Sequence, residues 1–223
     1  LELVKGLYEH GEIEPAFQVA EHSLQRLDTR ARQDEEFSTV AERMSEFGLD
    51  DSHPQSELAA WLRDRAAAHG QIERARAAGI IAFRTAPGLA AYQRVKQLAE
   101  ADWPDLRKEL LDFLRREARV SNETKIEIFL YENLVDDAIG ATERYTSPRT
   151  LARVMDAAVN RQPQWVIAQA RRQAEPIMDG AQSAHYEDAV LWLGKVKQAH
   201  EALGQQAEWR GYLVALRQKH QRK

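Results

Sequence analysis

Residues 66–83 read AAAHGQIERARAAGIIAF, and this stretch decides the fold. Two runs rich in alanine and aliphatic residues flank the pair His69-Gly70, and their apolar residues have helical rather than alternating spacing. A glycine directly after a helical run is typical of the left-handed residue that ends an α-helix. The stretch therefore predicts two antiparallel helices joined by a tight turn.

Three further segments align with this stretch in the same order of helix end, turn and helix start. They are residues 7–24 (LYEHGEIEPAFQVAEHSL), 130–145 (LYENLVDDAIGATERY) and 183–200 (SAHYEDAVLWLGKVKQAH). Gly11 takes the place of Gly70 in the first of them, and Asn133 takes it in the second. Each segment also has an apolar residue followed three positions later by alanine: Ile13/Ala16, Ile72/Ala75, Val135/Ala138 and Tyr186/Ala189. Alanine at this point lets two helices approach closely.

Such helix–turn–helix segments are typical of tetratricopeptide-like repeats, whose period is about 34 residues. The aligned segments are instead 59, 63 and 51 residues apart, so intervening helices such as 89–100 and 103–117 must form degenerate pairs. The 34 alanines and only 18 glycines and prolines also favour helix. We predict an all-α fold, an irregular α-solenoid of tetratricopeptide-like helical hairpins with about twelve or thirteen helices.

The predicted domain organisation is simple. We predict a single helical-repeat domain over residues 1–223, with a weak boundary near 48–56 (GLDDSHPQS). The predicted N-caps of three helices are Asp102, Ser121 and Ser147, the last of which precedes a proline. Because the first residues already follow a helical pattern, we expect the chain to be a fragment of a longer protein.

Most classes of enzyme and metal protein lack a supporting motif. The chain has no cysteine, which excludes thiolate nucleophiles and cysteine-based zinc sites and agrees with a cytoplasmic location. Gly-rich phosphate loops, H-E-x-x-H and G-x-S-x-G are absent, and so is any run of about 18 apolar residues that would span a membrane. Paired carboxylates such as Asp136-Asp137 are adjacent, so they diverge by about 100° on a helix. We predict a non-enzymatic chain without catalytic, metal-binding or cofactor-binding residues and without a membrane partner.

The aromatic and histidine side chains are interpreted as structural. Trp192 lies three residues after Ala189 and four before Val196, which predicts a core position. His10, His69 and His185 fall at or near predicted turns, where an imidazole is expected to bond the open carbonyls of a helix end.

Charge is distributed unevenly along the chain. Residues 1–60 carry 5 basic and 14 acidic side chains, whereas residues 195–223 carry 7 basic and 2 acidic ones. Clustered cations suit phosphate contacts, so the candidate nucleic-acid-binding residues are Arg210, Arg217, Lys219, Arg222 and Lys223. The alternative is that these cations complement the dipole at the end of the last helix. A pI near 6.0 argues against strong nucleic-acid binding by this chain alone.

Three stretches together resemble the C-terminal helical region of bacterial SWIM zinc finger proteins. They are residues 102–118 (DWPDLRKELLDFLRREA), 128–141 (IFLYENLVDDAIGA) and 185–223, the last of which is the most specific. These motifs occupy about a third of the chain, and they follow one another in the family's order. The resemblance implies that zinc belongs to a Cys-x-Cys…Cys-x-His motif upstream of Leu1 in the parent protein. The family's zinc ligands then map to no residue of this chain.

We expect a helical-repeat scaffold that binds a protein or peptide partner in a groove between stacked hairpins. The alternative is an accessory domain that binds nucleic acid beside the zinc finger of the parent protein. The sequence leaves open which residues line the groove and which oligomeric state the chain adopts.

Overall fold

The computed structural model describes residues 1–35, 54–142, 146–180 and 186–220, and it describes side-chain surroundings in these ranges except at 27–35 and 186. All regular structure in these ranges is helical, which confirms the predicted all-α class. The chain divides into two compact units, Leu1–Val120 and Ser121–Lys223. The predicted boundary near 48–56 falls within the first unit, and its residues 48–53 lie outside the described residues.

The first unit is a series of helices that each pack against the next. They are α1 (Glu2–Glu9), α2 (Ile13–Glu35), α3 (Pro54–Ala68), α4 (Ile72–Thr85), α5 (Leu89–Ala99), a 3₁₀ turn (Glu100–Asp102) and α6 (Trp103–Arg116). Seven of the 13 buried residues of one core cluster are alanines: Ala16, Ala20, Ala59, Ala66, Ala75, Ala78 and Ala82. Because a methyl group keeps neighbouring backbones close, these alanines allow α2, α3 and α4 to pack tightly.

The second unit has its own core. Its helices are α7 (Asn122–Tyr131), α8 (Val135–Gly140), α9 (Pro148–Ala158), α10 (Pro163–Asp179), α11 (Tyr186–Ala202) and α12 (Gln206–His220). The most extensive helix pairing in this unit joins α10 and α11. Trp192 of α11 is only 3% exposed and belongs to a cluster with Met155, Val166 and Val196. The predicted core position of Trp192 is therefore confirmed.

Four helix–helix turns share one backbone conformation. Gly11, Gly70, Asn133 and Gly204 have φ of 83°, 72°, 58° and 68°. In each turn the next residue donates its backbone N–H to the carbonyl five positions earlier, at N···O distances of 2.8–3.0 Å: Glu12 to Leu7, Gln71 to Ala66, Leu134 to Phe129 and Gln205 to His200. This pattern is the Schellman motif, in which the left-handed residue lets the chain satisfy the last carbonyls of a helix. The predicted left-handed residues at positions 11, 70 and 133 are confirmed.

A fourth turn of this kind, at Gly204, lies outside the four aligned segments. Alanine stands five residues after Gly11, Gly70 and Asn133, and each of these three alanines is fully buried. Five residues after Gly204 stands Trp209 instead, so the alanine signal is lost there. The aligned segment 183–200 begins with residues 183–185, which lie outside the described residues, and the described fourth turn follows it at Gly204.

Two of the three predicted N-caps are confirmed. The hydroxyls of Ser121 and Ser147 accept hydrogen bonds from the backbone N–H groups of Thr124 and Thr150, at 3.2 and 3.3 Å. Asp102 occupies the residue before α6 but makes no capping hydrogen bond, so that prediction is wrong. Its backbone is already helical, and its carboxylate pairs with Arg76 instead.

Candidate functional site

A groove of about 310 Å³ lies between α2, α3 and α4 in the first unit. Its floor is apolar, because Leu24, Leu62 and Ala78 line it and are almost fully buried, and half-buried Ile81 lies beside them. Exposed Ala77 stands on the α4 wall. The groove exists because α4 presents only methyl groups at positions 77 and 78, which leave space that larger side chains would fill.

Arg74 lies at one end of the groove and is saturated with hydrogen bonds. Its Nε donates to Glu21 at 2.7 Å, and its Nη2 donates to Glu14 at 2.8 Å and to Glu21 at 3.4 Å. Its Nη1 donates to Glu14 at 2.9 Å and to Gln71. The guanidinium also lies over the ring of Phe17, 5.3 Å from its centroid. Five donors are the full capacity of an arginine side chain, so this cluster fixes α4 against α2 and has no donor left for a ligand.

The charges of this cluster shift one another's titration. Hydrogen bonds from Arg74 hold the pKa of Glu14 below its ordinary value, although partial desolvation opposes them. Hydrogen bonds to Glu14 and Glu21 raise the pKa of Arg74. Both shifts favour the charged forms of Glu14 and Arg74, which agrees with an ion pair at this end of the groove.

Arg84 lies at the opposite end of the groove and makes fewer hydrogen bonds than Arg74. Its side chain is 44% exposed, and its Nη2 donates to Glu109 of α6. The four other N–H donors of Arg84 have no partner among the residues that the structure describes. The same residue also borders a second, more open hollow beside Phe113. Arg84 is thus a half-exposed cation with free hydrogen-bonding capacity at the edge of an apolar groove.

The histidines at the predicted turns have different surroundings. His10 Nδ1 donates to the carbonyl of Gly6 at 2.8 Å, which confirms the predicted contact with a helix end. His69 instead bonds the hydroxyl of Tyr8 at 2.9 Å, and its ring contacts Phe17 edge-on. His185 lies outside the described residues. These contacts hold the α1–α2 turn against the α3–α4 turn.

The structure describes three of the predicted nucleic-acid-binding residues, and their surroundings differ. Lys219 Nζ lies 2.7 Å from a carboxylate oxygen of Asp179. Arg210 is exposed and bonds the carbonyl of Gln206, and Arg217 is exposed as well. Arg222 and Lys223 lie outside the described residues. Lys219 therefore contributes to the attachment of α12 to α10.

Comparison with known proteins adds no family assignment, because no protein-family model, curated protein or solved structure matches the chain. The described histidine, aspartate and glutamate residues contain no group of three that could hold a metal ion. Within the described ranges, no helix has the length and apolar character needed to cross a membrane.

Sequence reasoning did not identify the groove residues. Arg74 and Arg84 are two of many arginines, and their partners Glu21 and Glu109 stand 53 and 25 residues away. One sequence feature points to the groove. Two adjacent alanines, at 77 and 78, lie between Arg74 and Arg84, and such small side chains leave space beside a helix. Only the tertiary structure shows which of the two arginines is saturated.

Proposed function

We propose that this chain is a non-enzymatic helical-repeat scaffold that binds a protein or peptide partner in the groove between α2, α3 and α4. The observation that carries the proposal is an apolar floor with polar groups at its ends. Peptide recognition commonly combines an apolar anchor pocket with a few polar contacts that fix orientation. A volume of about 310 Å³ lies at the lower end of the range for ligand pockets, so it suits one or two side chains rather than a cofactor.

The wider setting of the groove is also a proposal. We infer an irregular α-solenoid of tetratricopeptide-like hairpins, with about twelve or thirteen helices, in the C-terminal part of a cytoplasmic bacterial SWIM zinc finger protein. The repeated Schellman turns support the hairpin arrangement. Reading the gene upstream of Leu1 tests the family: a Cys-x-Cys…Cys-x-His stretch is expected there as the zinc site of the parent protein, and its absence would contradict the assignment.

A selection of displayed 12-residue peptides on the purified chain tests peptide binding. Peptides that survive selection are synthesised, and their affinity is measured by fluorescence anisotropy. Ala77→Trp is expected to abolish binding, because the indole fills the groove from its wall. Ala90→Trp, at an exposed position of α5 outside the groove, is the matched control and should bind like the parent chain. Equal binding by both variants would contradict the assignment of the groove.

Nucleic-acid binding by the basic C-terminal segment is the second candidate, and it has weaker support. Lys195, Lys197 and Lys219 each pair with a neighbouring carboxylate, which leaves fewer cations for phosphates. The candidate predicts binding to a duplex that weakens with salt and is lost when Arg210 and Arg217 are replaced by glutamine. Absent or salt-independent binding would exclude it.

A further inference from the structure

The two arginines of the groove differ in how many of their N–H groups are free to bind a ligand. Arg74 uses all of its donors on Glu14, Glu21 and Gln71, whereas Arg84 uses one of its donors on Glu109. A guanidinium with free N–H groups is the side chain best suited to a carboxylate, because it can donate two parallel hydrogen bonds. The groove is therefore asymmetric: Arg74 has no N–H group left for a ligand, whereas Arg84, although paired with Glu109, keeps N–H groups that a carboxylate can accept from.

We propose that the groove binds an acidic peptide that places a bulky apolar side chain on the floor and a carboxylate on Arg84. This proposal rests on the proposed function, and it adds the chemistry of the partner. The carboxylate is an aspartate or glutamate side chain or the C-terminus of the peptide, because all three present the same fork to the guanidinium. The other end of the groove offers that carboxylate no donor, since Arg74 is already bonded to Glu14, Glu21 and Gln71.

The spacing within the peptide follows from α4. Ala78 on the floor and Arg84 are six residues apart, which is about 9 Å of rise along the helix. An extended peptide covers that distance in about three residues, and a helical peptide covers it in about six. The peptide should therefore contain a bulky apolar residue and an acidic residue, in either order. They should lie about three positions apart if the peptide is extended and about six apart if it is helical.

The decisive experiment combines peptide selection with one charge-removing variant. Displayed 12-residue peptides are selected on the full chain, and the best binder is measured by anisotropy against the parent chain, Arg84→Gln and Arg94→Gln. Arg94 is the matched control, because its side chain is 42% exposed, pairs with Asp64 and lies outside the groove. Arg84→Gln is expected to weaken binding about 10-fold or more, as for loss of a charge-assisted hydrogen bond. Arg94→Gln should leave the affinity unchanged.

The peptide provides the reciprocal measurement. Replacing its acidic residue by the amide should cost the same factor, and in Arg84→Gln this replacement should cost nothing further, since the partner is already gone. Far-UV circular dichroism of each variant confirms that the helices are retained.

Each other outcome overturns a defined part of the argument. Selected peptides without an acidic residue, or peptides insensitive to Arg84→Gln but blocked by Ala77→Trp, would overturn the acidic partner and leave the scaffold in place. Peptides selected only when residues 36–53 are replaced by a glycine–serine linker would show that the chain itself occupies the groove, and would overturn the proposal. If no peptide is selected in either form, both the acidic partner and the proposed function of the groove are wrong.

Discussion

The turn at Gly70 provides a sharp test of why this sequence forms hairpins. Gly70 has φ of +72°, and a Cβ added there would meet no atom within 4 Å. Steric clash with neighbouring side chains is thus absent, and the only cost of Gly70→Ala is the left-handed backbone itself. That conformation costs an L-residue about 1–2 kcal/mol. We expect Gly70→Ala to lower the free energy of unfolding by this amount.

Two matched variants separate the backbone effect from a general effect of substitution. Asn133 holds the same conformation at φ of +58°, so Gly70→Asn should cost clearly less than Gly70→Ala. Gly6 lies within α1, has no positive φ and also has open space around its Cβ position. Gly6→Ala should therefore stabilise the chain by about 0.5–1 kcal/mol, because alanine is the better helix former.

Urea unfolding followed by far-UV circular dichroism measures these differences, with the slope of free energy against urea compared between variants. From the most to the least stable, the expected order is Gly6→Ala, the parent chain, Gly70→Asn and Gly70→Ala. An unchanged midpoint for Gly70→Ala, or equal losses for alanine and asparagine, would refute the conclusion that the left-handed residue sets the turn.

Three further predictions concern the core, the ionic cluster and the caps. Trp192→Ala should cost about 3–5 kcal/mol in thermal or urea unfolding, because the indole is buried in the second unit, and an unchanged melt would contradict its core role. Glu14 has a pKa held below its ordinary 4.5 by Arg74, so its contribution to stability is complete above that value and is lost as pH falls below it. Glu14→Gln should make the free energy of unfolding less dependent on pH in this acidic range. The same pH dependence as in the parent chain would contradict a stabilising role of the ionic cluster. Ser147→Ala should cost about 1 kcal/mol, as for a lost N-cap, whereas Asp102→Asn should cost less because Asp102 makes no capping bond.

Local features of this fold were predictable because their causes lie within a few residues. The left-handed residues at 11, 70 and 133 were recognised from glycine or asparagine after a helical run, and the caps at Ser121 and Ser147 from a serine at a helix start. These are backbone requirements that one residue type meets better than others. The predicted N-cap at Asp102 is wrong because the carboxylate pairs with Arg76, a residue distant in sequence, instead of with the helix.

The fourth turn marks the limit of the repeat signal. Its backbone is the same as that of the other three, but Trp209 stands where they have alanine. The aligned pattern depended on close packing between helices, which is a property of the surroundings. The turn itself depends only on Gly204, so the conformation persists where the sequence pattern does not.

The sequence by itself determined the all-α class, the hairpin turns and the position of Trp192, because helix propensity, backbone conformation and the spacing of apolar residues are local properties. Only the tertiary structure decided where the groove lies and which charged side chains are already paired. Arg74 and Arg84 look alike in sequence, yet carboxylates 53 and 60 residues away saturate the first, and one distant carboxylate engages the second. Likewise Lys219 is paired because folding places Asp179, 40 residues earlier, beside it. Whether a charged side chain is engaged or free depends on its neighbours in space, and the sequence does not specify them until the chain is folded.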